Sequence, residues 1–293
     1  MEVTETSGGT RCLDMGISAA GGLEAGRLLA EVCLAGLAQV EIVPGDDQLW
    51  PGPAIIVRTD HPVAACMASQ YAGWRITDEN FFAMGSGPMR AAAGRESLFD
   101  DIGYRENPDV AVGVLEAGSL PPAGVCQQIA DACRVPIDAL TLLVARTASQ
   151  AGGVQVVARS VETALHKLHE LHFDLRQVIS GFGVAPLPPV ARDDLTALGR
   201  TNDAVLYGAT VNLWVRSEDA RLEDLINRIP SCASNDFGAP FGELFARCGR
   251  DFYRMDPHLF SPARVVLHNL QSGHTFAAGQ PCPDVIRQSF GGL

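Results

Sequence analysis

The apolar residues of this chain come in short bursts, and that arrangement limits what it can fold into. Val110–Leu115 and Leu140–Ala145 are strand-length runs, whereas Gly26–Val40 and Ala158–Leu171 spread Ala, Val and Leu over helical lengths. The two kinds alternate along the sequence, which predicts a mixed α+β fold built from sheet-plus-helix units. No run approaches the roughly 18 apolar residues of a membrane span. At 293 residues, 47% apolar and 19% charged, the chain can bury a large core and is long enough for two domains.

Further strands are predicted at Ile55–Arg58, Phe81–Met84 and Val154–Val157, and a further helix at Val125–Cys133. The stretch Gly181–Pro189 reads as a linker, because its glycines and prolines interrupt both helix and sheet. It sets an expected boundary between a first α/β domain at 1–184 and a second at 185–293. A weak internal recurrence supports two similar halves. Arg58-Thr59-Asp60 returns as Arg200-Thr201-Asn202, and the block Leu98-Phe99, Gly103, Tyr104-Arg105, Asn107-Pro108 returns as Leu244-Phe245, Gly249, Tyr253-Arg254, Asp256-Pro257. An internal duplication would place a substrate cleft between two such halves.

Several function classes are excluded by charge and composition. A formal net charge of −12 leaves no basic stripe to replace phosphate counterions, so no nucleic acid is expected as partner. Met1–Thr10 is acidic and polar, unlike a secretory leader, and with the lack of a membrane span this predicts a cytoplasmic protein. Eight scattered cysteines, none in a Cys-x-x-Cys pair, sit in apolar surroundings and read as buried reduced thiols.

Chemistry concentrates on Ala158–Leu171. On a helical wheel Val157, Val161, Ala164, Leu165, Leu168 and Leu171 share one face, while Arg159, Glu162, His166 and His169 gather on the other. That second face suits either a solvated set of ion pairs or a base held beside its tuning partner. His166, His169 and His172 do not have a metal-site spacing, so no metal is expected. Gly85-Ser86-Gly87-Pro88 before a helix reads as an anion cradle, with Arg90 or Arg95 assisting, or as a tight turn without a ligand. Thr59-Asp60-His61-Pro62 and Thr201-Asn202-Asp203 are expected at strand ends, as polar substrate contacts or as side-chain-stabilised turns. No nucleotide-binding glycine motif is present.

These residues carry a resemblance. Thr59-Asp60-His61-Pro62, Ser69-Gln70-Tyr71-Ala72-Gly73-Trp74, Ala83–Pro88, Val154-Gln155, Arg159 with Val161–Ala164, Thr201-Asn202-Asp203, Pro230-Ser231-Cys232, Pro240-Phe241, Asp251-Phe252-Tyr253 and Asp256–Phe260 follow one another as they do in methenyltetrahydromethanopterin cyclohydrolases. The chain resembles that family over nearly its whole length. The resemblance implies opening of the N5,N10-methenyl bridge of a reduced pterin to the N5-formyl form, with neither metal nor nucleotide cofactor. It also implies two α/β domains around a pocket and, from archaeal members, a homotrimer. It puts the catalytic pair on Arg159 and Glu162. Substrate contacts are then expected at Thr59, Asp60, His61, Tyr71, Ser86, Gly87, Thr201, Asn202 and Asp203.

The chain departs from the family pattern in three places. Tyr71 replaces a lysine of some archaeal members, Arg146 stands where a proline is expected, and an N-terminal helical stretch of relatives is missing. In the implied scheme Glu162 is the general base, and Arg159 lowers its pKa and orients it. The alternatives are a reduced-pterin binding protein without turnover and a metal-dependent amidohydrolase on a related heterocycle.

Overall fold

The computed structural model describes residues 2–5, 8–71 and 73–291. Part of the polar N-terminal stretch, and Ala72 of the Ser69–Trp74 motif, lie outside the described residues. Among the described residues twelve strands run in chain order as β1 (Glu2–Glu5), β2 (Arg11–Gly16), β3 (Gln39–Pro44), β4 (Pro53–Thr59), β5 (Trp74–Asp78), β6 (Phe81–Ser86), β7 (Ala111–Ala117), β8 (Leu140–Ala145), β9 (Val178–Pro186), β10 (Thr210–Val215), β11 (Arg264–Asn269) and β12 (Thr275–Gly279). The α-helices of the described residues are α1 (Leu23–Cys33), α2 (Met89–Ala93), α3 (Leu98–Ile102), α4 (Ala123–Cys133), α5 (Gln150–Val157), α6 (Ser160–Glu170), α7 (Asp194–Leu206), α8 (Asp219–Ile226), α9 (Phe241–Arg247) and α10 (Pro283–Phe290). A π-helix at Val63–Gln70 joins them. The fold is α+β.

The strands form two six-stranded mixed sheets. In the first the order is β1-β2-β8-β7-β6-β5, with β2, β8 and β7 mutually parallel. In the second it is β12-β11-β10-β9-β4-β3, where only β10 and β11 run parallel. Helices α2 and α4 cover one face of the first sheet around Met89, Val125 and Ile129. Its other face receives α1, which packs on β2 and β7 and also touches β3 and α5. Helix α6 lies on β4, β9 and β10 of the second sheet, and the π-helix packs against it. The largest core cluster therefore runs through this layer of helices.

Three expectations need correction. The run 181–189 is not a linker: residues 178–186 are strand β9, paired on both edges with β4 and β10. The boundary expected at 184/185 falls inside that strand. Its glycines serve close packing, because a Cβ on Gly181 would stand 2.6 Å from Val161 Cγ1, and one on Gly183 would stand 2.3 Å from Ser160 Oγ. Val154–Val157 is the end of helix α5, not a strand; Ser149 caps that helix by accepting the Gly152 N–H at 2.9 Å. The first helix stops at Cys33 rather than Val40, where Ala35 and Gly36 adopt positive φ of 58° and 68° and the chain turns into β3.

The recurrence is partly reflected in structure. Thr59 ends a strand while Thr201 lies within helix α7, so these two anchors are not equivalent positions. The later blocks do correspond: Leu98-Phe99 and Leu244-Phe245 sit in the short helices α3 and α9. Left-handed Gly103 and Gly249 follow them, and β7 and β11 come next. Five of the cysteines are buried as expected, but Cys232 is exposed and Cys248 and Cys282 are partly so.

Candidate active site

Helix α6 begins where α5 ends, and Arg159 is the residue at the joint. The predicted apolar stripe is buried at Val157, Val161, Ala164, Leu165 and Leu168, which are inaccessible, while Leu171 at its end is partly exposed. The opposite face is not the solvated one that periodicity alone allowed. Arg159 is 9% exposed and Glu162 7%, and the π-helix packs against this helix. One helix thus buries two faces, one apolar and one charged.

The guanidinium of Arg159 is held on every side. Gln155, one turn earlier on α5, accepts from Nε at 3.1 Å and from Nη2 at 2.8 Å. Nη1 donates to the Gln70 carbonyl at the end of the π-helix, and Nη2 also reaches Ser86 Oγ at 3.3 Å and Cys33 Sγ at 3.7 Å. Gln70 returns a bond from its side-chain amide to the Ala158 carbonyl at 3.0 Å. Four separate elements therefore fix one cation.

Glu162 has the opposite character. Among the described residues its carboxyl group has no hydrogen-bond or salt-bridge partner. Burial pushes its pKa up to about 7; the nearby positive charges of Arg159 and Arg90 pull the other way and lose. Arg159 thus lowers the Glu162 pKa as expected, and burial outweighs it. A carboxyl that titrates near neutrality, free of donors, can accept a proton and give it back.

Around this pair lie Tyr71 and Ser86. Tyr71 follows the π-helix, stacks on His166 with ring centroids 5.4 Å apart, and has its phenol pushed up to about 12, by burial first and then by Glu162. Ser86 is buried between Arg159 and Cys33, 3.2 Å from the Cys33 sulfur. Burial also raises the Cys33 pKa, against the pull of Arg159.

Gly87 adopts φ of 90° and is buried, and its N–H is already given to the Ser69 carbonyl at 2.8 Å. Arg90, expected to help hold an anion there, is fully buried and engaged by Glu96 and the Met67 carbonyl. The turn and Arg90 thus brace the π-helix. Of the two arginines only Arg95 is exposed, and it lies over the Trp74 ring.

Most of the other predicted contacts make hydrogen bonds within the fold. Thr59 donates to the Leu37 carbonyl at 2.7 Å and accepts the His61 N–H at 2.9 Å; Asp60 accepts from Ser180 at 2.7 Å. These bonds tie the end of β4 to its neighbours, while the His61 side chain is exposed. Thr201, Asn202 and Asp203 were expected at a strand end and are instead inside α7. Thr201 and Asn202 bond back to the Ala197 and Leu198 carbonyls, and Asp203 accepts the Phe241 N–H at 2.8 Å. Thr201 also lines a cleft of about 220 Å³ with Ser149, Gln150 and Pro188, which Glu162 does not border. Arg146 binds Asp194 at 2.9 Å and so fastens its loop to the start of α7.

The histidines do not converge. His166 packs on Tyr71, His169 meets Asp101 at 3.1 Å, and His172 is in a left-handed turn. Among the described residues no three His, Cys, Asp or Glu side chains form a metal-ligand group. No helix of the described residues is long and apolar enough to cross a membrane. Sequence reasoning missed Gln155, Arg90 and Glu96 as parts of the charged cluster. Gln155 carried a signal, since it lies four residues before Arg159, a spacing that brings the two side chains together across the joint between α5 and α6.

Comparison with known proteins bears on this arrangement directly. The family described as Cyclohydrolase (MCH) matches residues 1–290. The chain is 51% identical over 281 residues to methenyltetrahydromethanopterin cyclohydrolase of Xanthobacter autotrophicus, covering 96% of this chain and 83% of that protein. It is 48% identical to the protein of that name from Methylobacterium nodulans and 44% identical to that from Methanosarcina barkeri, covering in each case 99% of this chain and 91% of the relative. A match that runs through both sheets and the whole Arg159–Glu162 cluster leaves one conclusion: the chain belongs to the MCH cyclohydrolase family.

Proposed function

We propose that this protein hydrolyses the N5,N10-methenyl bridge of tetrahydromethanopterin, or of its dephospho form, reversibly to the N5-formyl compound, with Glu162 as general base. The observation that carries this reading is a buried carboxyl that has no donor partner among the described residues and that burial pushes up to about 7 against the charges of Arg159 and Arg90, in a chain that belongs to this family along its length. The N5–C–N10 unit is an amidinium cation, so its carbon is electrophilic without a Lewis acid, and the scheme calls for no metal or nucleotide. Glu162 takes a proton from water as the oxygen bonds to the methenyl carbon. The protonated carboxyl then delivers that proton to N10, the C–N10 bond breaks, and the hydroxyl proton leaves as the formyl C=O forms on N5. Arg159 keeps enough of the buried carboxyl ionised to begin the cycle. In this reading Tyr71 and Ser86 border the substrate, the enzyme works in the cytoplasm, and it assembles as a homotrimer.

Glu162→Gln tests the assignment, since it keeps shape but cannot accept the proton. Loss of methenyl absorbance, followed in protein shown by circular dichroism to be folded, should slow by roughly 10²–10⁴ in kcat. Retention of more than about a tenth of the wild-type rate would remove Glu162 as base.

A further inference from the structure

The carbonyl end of the π-helix joins two buried cations. Arg159 donates to the Gln70 carbonyl, and Arg90 donates to the Met67 carbonyl at 2.8 Å. Carbonyls at a helix end lack intrahelical donors, so the two guanidiniums satisfy groups that would otherwise be stranded. Arg90 is wholly inaccessible. Its remaining donors go to Glu96, from Nε at 3.0 Å and from Nη2, and its guanidinium carbon lies 5.0 Å from the centre of the Tyr71 ring and 5.3 Å from that of Phe99.

A cation so enclosed needs a counter-charge, and Glu96, with 21% of its side chain exposed, supplies it. Tyr71, packed on Arg90, also stacks on His166, which lies one turn past Glu162 on α6. We propose that the Arg90–Glu96 pair is a positioning device for the reaction, in which Glu96 sets how much of the Arg90 charge the Glu162 carboxyl feels. This rests on the reading of Glu162 as the base.

The groups that interact electrostatically with that carboxyl are Cys33 from α1, Cys66 and Tyr71 from the π-helix and its end, Arg90 from α2, and Arg159. Burial raises both thiols and the phenol, so all three are neutral around pH 7. The two guanidiniums are therefore the fixed charges in view, and only Arg90 has a carboxylate partner that can be removed without touching the substrate side.

Glu96→Gln keeps the side-chain shape and one acceptor but releases the Arg90 charge. Titration of the Glu162 carboxyl by carbon-13 NMR, its signal assigned by loss in Glu162→Gln, should shift down by roughly one pH unit. The acidic limb of kcat/KM should follow it. Glu96→Asp keeps the charge and should leave both near wild type. The paired replacement Arg90→Gln with Glu96→Gln removes the cation too and should move both upward; it decides the matter where Glu96→Gln alone does not fold. An unmoved Glu162 titration in these variants, or an equal shift in Glu96→Asp, overturns the proposal and makes the pair a packing element. A shifted titration with an unmoved rate profile upholds the pair and instead sinks Glu162 as the base.

Discussion

Two buried carboxyls in this protein titrate near the same pH and do different things. Glu162 on α6 and Asp203 on α7 are both pushed up to about 7, and burial is the leading cause for each. Asp203 accepts the Phe241 N–H, which starts α9, through one carboxyl oxygen, so it stitches helices together. Glu162 has no such donor and faces cations instead. A perturbed pKa thus marks burial first; what the carboxyl lacks is what separates a reactive group from a structural one.

The sharpest way to break the contrast is to neutralise each carboxyl in turn. Against the roughly 10²–10⁴ loss expected for Glu162→Gln, Asp203→Asn keeps an oxygen for the Phe241 N–H and should leave kcat within about threefold. Comparable losses in both variants would erase the distinction. Arg159→Ala comes next. Without that cation the Glu162 pKa rises further, so the acidic limb of the rate profile should move to higher pH, with about tenfold loss at pH 7 and partial recovery in alkali. A uniform loss at every pH would mean that Arg159 only holds the fold.

Stability sharpens the comparison from the other side. Asp203 is protonated more readily folded than unfolded, so its contribution is fullest below its unfolded value near 4 and is lost as pH rises toward 7. Asp203→Asn should remove that loss. In urea titrations the variant should gain about 1–3 kcal/mol on wild type between pH 4 and pH 8. A constant difference across that range would place the Asp203 pKa elsewhere. Smallest are the histidines: His166→Ala and His169→Ala should each cost less than about tenfold in kcat, since neither carries a proton in the scheme.

Much of this was legible in residues. The spacing of Val157, Val161, Ala164, Leu165 and Leu168 predicts their buried face, and the strand-length runs at Leu140–Ala145 and Val110–Leu115 are β8 and most of β7. What escaped had physical reasons. Thr201-Asn202-Asp203 looks like a turn because such side chains often bond locally, and here Thr201 and Asn202 do so inside a helix whose start is signalled by Asp193, the cap for the Thr196 N–H at 2.8 Å. Val154–Val157 is β-branched, yet Ser149 capping and packing against α1 make it helical. Arg90 and Glu96 belong to no motif. Their burial depends on how α2 meets the π-helix, which no local pattern announces.

The bare strip at Gly181 and Gly183 has a consequence for how this site can vary. Helix α6 rests there through Ser160 and Val161, with no strand side chain beneath them, so the strand acts as the seat that sets the elevation of Glu162. A single methyl added beneath the helix would lift the carboxyl, the joint at Arg159 and the stacked His166 together. The height of the Arg159–Glu162 cluster is governed from beneath, by two glycines of the strand rather than by the charged residues themselves.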